Sequence, residues 1–184
     1  KLLDTLKKHK NNCPVVLSSS IQALLDNPYG QSKKAGEDAV FKYGGETGAP
    51  VFVYRFPNVF GKWCRPDYNS AVATFCNNIA NDLPIQVNDR SVMMSLVYID
   101  DVVSELIAAL EGNPNKTGDY CSVETVHKIT LGEIADLLYS FQNSREDKTV
   151  PNMSDPFVKK LYSTYLSYLP KDRFRYPLQK HADE

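Results

Sequence analysis

The chain has 184 residues, of which 42% are hydrophobic and 23% are charged, so it is long enough and apolar enough for a domain with a real core. Its formal net charge of -1 and the lack of a long basic run give no electrostatic reason to expect binding to nucleic acid or to a membrane. No apolar stretch reaches the roughly 20 residues of a membrane span, and no secretory signal is visible, so we expect a cytoplasmic protein.

The cysteines and histidines are scattered rather than grouped. No two cysteines form a Cys-x-x-Cys pair and each histidine stands alone, which disfavours a metal site. We therefore expect no bound metal and reduced thiols at every cysteine, as in most cytoplasmic proteins. The cysteines are Cys13, Cys64, Cys76 and Cys121.

Helices and strands alternate in the first part of the chain. Residues 2–11 have the pattern of the end of an amphipathic helix, and residues 14–20 form an apolar run that ends in hydroxyls, as in a buried parallel strand. Residues 29–43 carry apolar side chains at helical spacing, and residues 50–54 predict a second buried strand. This alternation is typical of an α/β domain with a parallel sheet.

The second half of the chain is more helical and irregular, as expected for a lobe that binds substrate. Asp100 or Asp101 is placed to cap a helix by accepting a bond from a free backbone N–H, and Thr130 with Glu133 forms a capping-box pattern. The predicted helices cover residues 70–81, 102–111, 130–142 and 154–169, and the predicted short strands cover residues 85–87, 94–99 and 120–123.

Tyr29 and Lys33 stand four residues apart at the start of a predicted helix, a spacing that puts both side chains on one face. An ammonium beside a phenol favours the phenolate, and a phenol made more acidic in this way is a usable general acid or base near neutral pH. Ser20, or its neighbour Ser19, ends the preceding strand and is placed to hold a substrate carbonyl by a hydrogen bond.

A second Tyr-x-x-x-Lys, at Tyr176 and Lys180, shows how weak this spacing is by itself. It has Pro177 directly after the tyrosine, lies in no predicted helix and follows no strand tipped with serine. Tyr29 differs because it follows a strand, a hydroxyl cluster and a turn in that order. An exposed pair at a helix N-terminus is the alternative interpretation of Tyr29.

Four segments resemble, in order and rough spacing, the motifs of the extended short-chain dehydrogenase/reductases. They are SSS at 18–20, PYGQSK at 28–33, RFPNVFG at 55–61 and VYIDDV at 97–102. Further segments, among them KWCRPDYNS and LYSTYLSYLP, look like a bacterial family of capsular-polysaccharide enzymes across nearly the whole chain. That family joins an N-terminal NADPH-dependent reductase domain to a C-terminal cupin domain.

The resemblance implies an α/β fold: the C-terminal portion of a Rossmann-like NAD(P)-binding domain with a smaller, mostly helical substrate-binding lobe. Residues 1–65 would form the second half of the Rossmann-like core, and residues 66–184 mainly the substrate-binding lobe, with some return to the core. The N-terminal half of the domain and the cupin domain would lie elsewhere in a longer parent chain. The family also implies a homodimer.

The resemblance further implies catalytic roles for three residues. Tyr29 would protonate the sugar oxygen as hydride arrives, Lys33 would bind the nicotinamide ribose hydroxyls, and Ser20, with Ser19 as the alternative, would hydrogen-bond the carbonyl. NADPH is the implied cofactor and NAD the alternative. The implied substrate is a UDP-4-keto-6-deoxy-hexosamine, on the route to UDP-N-acetyl-L-fucosamine.

The same resemblance places other residues around the ligands. Phe56 and Pro57 would lie beside the nicotinamide through backbone contacts, and Asn58 would reach the substrate diphosphate. Many relatives carry a phosphate-binding arginine where this chain has Met94, and Arg90 is near enough to replace it. The alternatives are a plain turn at Pro57 and Asn58, and a solvated loop residue at Arg90.

Two departures from the family pattern narrow the function. No glycine-rich phosphate loop exists, because the glycines at 44, 45 and 48 follow a predicted helix and are expected to stop it. The 184 residues alone are therefore expected to bind cofactor poorly and to be inactive. Ile21 and Gln22 stand where family dehydratases have an acidic pair, which favours carbonyl reduction. An NAD-dependent epimerase and a non-catalytic sugar-nucleotide-binding module are the alternatives.

Overall fold

The structure, a computed structural model, describes residues 1–175 of the chain. These residues form two units, each with its own interior. The first unit comprises Lys1–Pro57 and Asp100–Val126, and the second comprises Asn58–Ile99 with the described residues from His127 onwards. Both units combine strands with helices, so the predicted α/β class is confirmed.

Helices and strands follow one another in a mixed order along the chain. They are α1 (Leu2–Lys8), β1 (Val15–Ser20), α2 (Pro28–Thr47), β2 (Val51–Phe56), β3 (Asn58–Phe60), α3 (Ala71–Ala80), β4 (Met93–Tyr98), α4 (Ile99–Leu110), β5 (Lys116–Thr117), β6 (Tyr120–Cys121), β7 (His127–Thr130), α5 (Leu131–Glu146) and α6 (Pro156–Leu166). Short 3-10 turns cover Ile21–Leu24 and Lys171–Phe174. Among the described helices, none has the length and apolar composition that crossing a bilayer requires.

The sheet of the first unit has the strand order β1-β2-β6-β5. Strands β1 and β2 are parallel and are joined through α2, which is the crossover that a parallel pair needs. Strand β6 continues the parallel arrangement where Cys121 pairs with Tyr54, and β5 is antiparallel to β6. The sequence prediction of parallel strands alternating with helices is therefore confirmed in this unit.

The second unit has the strand order β3-β4-β7 and a separate apolar core. Strand β3 is parallel to β4, and β7 is antiparallel to β4. Helices α3, α5 and α6 pack against one another, because each presents an apolar stripe to the others. The core side chains include Phe60, Phe75, Leu96, Leu138, Phe141, Leu161 and Tyr165.

Several predicted elements are confirmed with small changes at their ends. They are the helices α1, α2, α3, α5 and α6 and the strands β1, β2, β4 and β6. The capping box is also present: Glu133 N–H donates to Thr130 Oγ1 at 3.2 Å, and Thr130 N–H donates to Glu133 Oε2 at 2.8 Å. Strand β1 is less buried than expected, since Ser19 is its one fully buried residue.

The prediction that Gly44, Gly45 and Gly48 stop α2 was wrong for the first two of them. Helix α2 continues through Gly44 and Gly45 to Thr47, and Gly48 caps its C-terminus in a left-handed conformation with φ of 73°. A Cβ at Gly44 would lie 2.9 Å from a methyl group of Val51, so this glycine lets α2 approach β2 closely. Packing outweighs the helix-breaking tendency of glycine at this position.

Two other local predictions were also wrong. Residues 85–87 form no strand in the structure. Helix α4 begins at Ile99, so Asp100 and Asp101 lie in its first turn instead of capping it, where their charges still suit the helix dipole. The short strands β3, β5 and β7 were not predicted.

Candidate active site

The ends of β1 and β2 lie side by side. The two strands are in register from Val15 opposite Val51 to Ser20 opposite Phe56. Ser20 thus ends its strand beside Phe56, at the carboxyl edge where ligands bind in open α/β sheets. Its Oγ accepts a hydrogen bond from the Gln22 N–H at 3.2 Å, which caps the following 3-10 turn and leaves the serine O–H as a donor.

The start of α2 is capped and held close to that 3-10 turn. Asn27 Oδ1 accepts a bond from Gly30 N–H at 2.8 Å, and Pro28 occupies the first turn, where its missing N–H has no helical partner to lose. A Cβ at Gly30 would lie 2.3 Å from the Leu25 carbonyl oxygen and 2.4 Å from that of Gln22. The absent side chain therefore brings the first turn of α2 against the segment that follows β1.

Tyr29 and Lys33 come together at the start of α2, as their spacing predicts. The Lys33 Nζ lies 5.5 Å from the centroid of the Tyr29 ring. Tyr29 is 52% exposed and so accessible to a ligand, whereas Lys33 is half-buried. An accessible phenol beside an ammonium suits proton transfer to a bound molecule. The second pair, Tyr176 and Lys180, lies outside the described residues.

The structure distinguishes between the two candidate hydroxyls. Ser19 is buried, and its hydroxyl donates to Glu37 Oε1 at 2.6 Å. Successive side chains of a strand point to opposite faces, so Ser20 points away from this bond. Ser20 is also partly exposed. The hydroxyl that is available to a ligand is therefore that of Ser20.

Sequence reasoning missed Glu37, a fully buried carboxylate on α2. Arg55 on β2 donates to both of its oxygens, from Nε at 2.9 Å and from Nη2 at 2.6 Å, and the Tyr120 hydroxyl donates at 3.1 Å. Burial raises the pKa of Glu37, but the hydrogen bonds from Arg55 and Ser19 and the Arg55 charge outweigh burial and hold this pKa below its ordinary value. A signal was available, because this carboxylate follows the tyrosine–lysine pair by one more four-residue step.

Phe56 and Pro57 lie where β2 ends. The Phe56 ring is buried and stacks on Tyr54, with 5.3 Å between ring centroids. Pro57 is the single residue between β2 and β3. The backbone of both residues adjoins the strand end that carries Ser20, so it is placed for the predicted contacts with a nicotinamide, which stay a prediction.

The predicted substrate-binding residues, Asn58 and Arg90, belong to the second unit. Asn58 is exposed and begins β3 opposite Leu96, so the chain is extended at this position and does not form a plain turn. The Arg90 Nη2 donates to Asp136 Oδ2 at 2.6 Å and to the Gly132 carbonyl at 3.3 Å. Arg90 is thus bonded to α5, and substrate binding by either residue stays a prediction.

Metal and disulfide chemistry find no support in residues 1–175. Within this part of the chain, no group of three or more His, Cys, Asp or Glu side chains is placed to hold a metal ion. All four cysteines are free thiols. Burial raises the pKa of Cys76, which makes this thiol a poor nucleophile.

Parallel strands, the crossover helix α2 and polar side chains at the strand ends define a Rossmann-like α/β protein. Residues 18–121 match the NAD dependent epimerase/dehydratase family, and the chain belongs to this family. The resemblance found from the sequence motifs is therefore confirmed.

Individual relatives agree with this family. Over 182 residues the chain is 45% identical to the UDP-2-acetamido-2,6-beta-L-arabino-hexul-4-ose reductase of Pseudomonas aeruginosa, which covers 99% of this chain and 49% of the relative. The crystal structure of the capsular polysaccharide assembling protein CapF from Staphylococcus aureus is similar with a TM-score of 0.93 and 51% identity, covering 100% of this chain and 50% of that one. UDP-glucuronate 4-epimerase 1 of Arabidopsis thaliana is 33% identical over 94 residues, which are 49% of this chain and 21% of the relative. The chain spans about half the length of the first two relatives.

Proposed function

We propose that this chain is part of a longer NADPH-dependent reductase. It would convert the 4-keto group of a UDP-4-keto-6-deoxy-hexosamine into a hydroxyl, on the route to UDP-N-acetyl-L-fucosamine for capsular polysaccharide. One observation carries the proposal: 45% identity to a UDP-hexul-4-ose reductase extends over 99% of the chain, a range that includes Ser20, Tyr29 and Lys33.

The proposed chemistry assigns one task to each of these residues. Bound NADPH supplies hydride to the carbonyl carbon of the sugar. Tyr29 donates its hydroxyl proton to the carbonyl oxygen as this oxygen becomes an alkoxide, and the Ser20 hydroxyl holds the same oxygen by a hydrogen bond. Lys33, with its Nζ 5.5 Å from the Tyr29 ring centroid, stabilises the tyrosinate that remains and binds the ribose hydroxyls.

The residues present fit one end of a nicotinamide cofactor. Half-buried Lys33 beside exposed Tyr29 offers a donor to ribose hydroxyls, and the backbone at Phe56 and Pro57 borders the strand end. The sequence has no Gly-x-Gly-x-x-Gly loop, which in this fold holds the pyrophosphate. The proposal therefore assigns pyrophosphate binding to another part of a longer parent chain.

The remaining features of the proposal concern substrate and assembly. Asn58 and Arg90 offer an amide and a guanidinium for the UDP diphosphate, the latter in competition with Asp136. The parent protein would be a cytoplasmic homodimer that also carries a cupin domain. The family resemblance implies both the homodimer and the cupin domain.

The decisive assay supplies the full-length parent protein with the UDP-4-keto sugar and follows NADPH oxidation. We expect Tyr29→Phe to lower kcat by about 10²- to 10⁴-fold, because it removes the proton donor. Tyr139→Phe, at an exposed tyrosine on α5, is the matched control and should keep wild-type activity. Full activity in Tyr29→Phe would exclude the proposed role.

An NAD-dependent nucleotide-sugar epimerase is the second candidate, because the chain matches a UDP-glucuronate 4-epimerase over 94 residues. The same three residues would serve that reaction. An epimerase consumes no added NADPH, since it returns the hydride to its substrate. Conversion of a UDP-sugar into its C4 epimer without net NADPH oxidation would favour this candidate.

A further inference from the structure

The first unit contains a buried charged side chain, the carboxylate of Glu37. Glu37 is 0% exposed, and a buried carboxylate costs several kcal/mol unless its environment compensates. Replacing a buried ion pair by apolar residues of similar volume is often neutral or stabilising, so such a pair is weak evidence of a purely stabilising role. The proposed reaction assigns no chemical step to this carboxylate, so its position needs another explanation.

The hydrogen bonds of Glu37 connect α2 to three strands. Ser19 on β1 donates at 2.6 Å, Arg55 on β2 donates to both carboxylate oxygens, and Tyr120 on β6 donates at 3.1 Å. The Arg55 guanidinium also lies 3.8 Å from the Tyr120 ring centroid, and the Tyr120 ring meets Phe41 of α2 edge-on at 5.4 Å. The hydrogen bonds to Glu37 and the ring contact with Phe41 depend on the rotation and axial position of α2.

The residues that bond to Glu37 directly precede the strand ends at the candidate site. Ser19 is paired with Arg55 across the two parallel strands, and the next pair along them is Ser20 with Phe56. On the helix, Glu37 follows Tyr29 and Lys33 in steps of four residues, so the three side chains share one face. One carboxylate therefore connects the helical face of the predicted proton donor to the strand that carries the predicted carbonyl-binding hydroxyl.

We propose that Glu37 is a positioning residue for the reduction, holding Tyr29 and Lys33 of α2 in place relative to Ser20 through Arg55 and Ser19. The inference rests on the proposed function. Apolar contacts tolerate small sliding of a helix, whereas a fork of charged hydrogen bonds does not. Misplacement of reacting groups by about 1 Å is enough to lower a rate about 100-fold. Glu37 itself touches no reacting atom.

The test compares two carboxylates of the first unit in the full-length protein. Glu37→Gln removes the charge and places an amide N–H against the donors of Arg55. Glu105→Gln is the matched control, because Glu105 accepts from the Tyr54 hydroxyl at 2.7 Å and from the Asn115 N–H at 2.8 Å, and makes no bond to this network. Both variants are expected to lower the melting temperature.

Only Glu37→Gln is expected to change catalysis, with kcat lowered about 10- to 100-fold and KM for the sugar nucleotide within about twofold of wild type. Glu37→Asp keeps the charge on a shorter arm and should give an intermediate kcat. Unchanged kcat in Glu37→Gln despite a lower melting temperature would reduce the carboxylate to a purely structural role and overturn the inference.

A milder variant covers the case in which Glu37→Gln does not fold. Tyr120→Phe keeps the ring that contacts Arg55 and deletes two hydrogen bonds, the one that the hydroxyl donates to the carboxylate and the one that it accepts from Arg55 Nη2 at 2.6 Å. It should lower kcat about threefold with KM unchanged, and wild-type kcat would count against positioning. A wild-type protein that oxidises no NADPH would overturn the proposed function and this inference together, whereas an active wild type with unaffected variants would overturn only the inference.

Discussion

The interiors of the two units differ in one respect: a buried charged side chain, Glu37, lies in the first unit. The second unit is organised around a continuous apolar cluster in which aromatic rings of α5 and α6 meet, as Phe141 does with Tyr162 at 5.1 Å. In the first unit, the contact between α2 and the sheet includes the buried Glu37 with its charged and hydroxyl partners. Apolar packing supplies stability with tolerance for small shifts, whereas a satisfied polar network fixes one arrangement. The network around Glu37 lies directly behind the candidate active site, since Ser19 and Arg55 precede the strand ends at Ser20 and Phe56.

The largest expected effect on stability comes from the apolar interior. Phe141→Ala would leave a cavity at a fully buried position and lower the free energy of unfolding by about 3–5 kcal/mol. Urea denaturation followed by circular dichroism measures this change. Tyr139→Ala, on the exposed side of the same helix, should cost less than about 1 kcal/mol. Equal losses in the two variants would contradict the assignment of this core.

Arg55→Met is expected to lower the free energy of unfolding by about 3 kcal/mol, because it leaves the buried Glu37 carboxylate without its cation. The double variant Glu37→Leu with Arg55→Met removes both charges and should recover most of that free energy of unfolding. We expect its kcat to stay low, since apolar contacts do not restore the position of α2. A double variant that is both stable and fully active would show that apolar contacts position α2 as well as the charged pair does.

The pH dependence of stability gives a smaller effect with a definite sign. The folded pKa of Glu37 lies below its ordinary value of 4.5 because the bonds from Arg55 and Ser19 and the Arg55 charge outweigh burial. Its contribution to stability is therefore complete above that ordinary value and is lost as the pH falls through the folded pKa.

Glu37→Gln should accordingly flatten the acid limb of a plot of unfolding free energy against pH. The other charged or titratable groups near this carboxyl are Arg55, Tyr120, Lys34 and Asp38, and they remain in the variant. Chemical denaturation at a series of acid pH values provides the measurement. Parallel curves for wild type and variant would refute the assigned pKa direction.

The smallest expected effect concerns a local feature of the second unit. Thr130→Ala deletes the capping box of α5 and should lower the free energy of unfolding by about 1 kcal/mol. Thr130→Ser keeps the hydroxyl and should retain most of that stability. Thermal unfolding of the two variants decides the matter, and a loss in the serine variant as large as in the alanine variant would rule out the hydroxyl as the source.

The features that could be predicted from the sequence are those that depend on residues close together in the chain. Strands β1 and β2, the start of α2 and the capping box at Thr130 all carry local signals, such as apolar runs, Pro28 after Asn27, and hydroxyl and acid three residues apart. The pair of Tyr29 and Lys33 is local as well, and one helical turn brings it together.

Features that depend on distant contacts were missed. The network around Glu37 joins residues 18 to 83 positions apart in the chain, and no local pattern specifies such partners. The continuation of α2 through Gly44 depends on its contact with Val51, which also cannot be seen in the sequence near the glycine. The sequence also could not show that Ser19 is buried and Ser20 partly exposed, because this depends on the register of β1; the catalytic role of Ser20 stays a prediction.

In directed evolution of this protein, position 30 is expected to tolerate no residue other than glycine. Any side chain there collides with two backbone carbonyls, and a carbonyl cannot swing aside as the tip of a long side chain does. A saturation library should return glycine alone at this position, while the exposed neighbour Ser32 accepts many residues. The segment from Ser20 to Lys33 is therefore best transplanted between related scaffolds as one block.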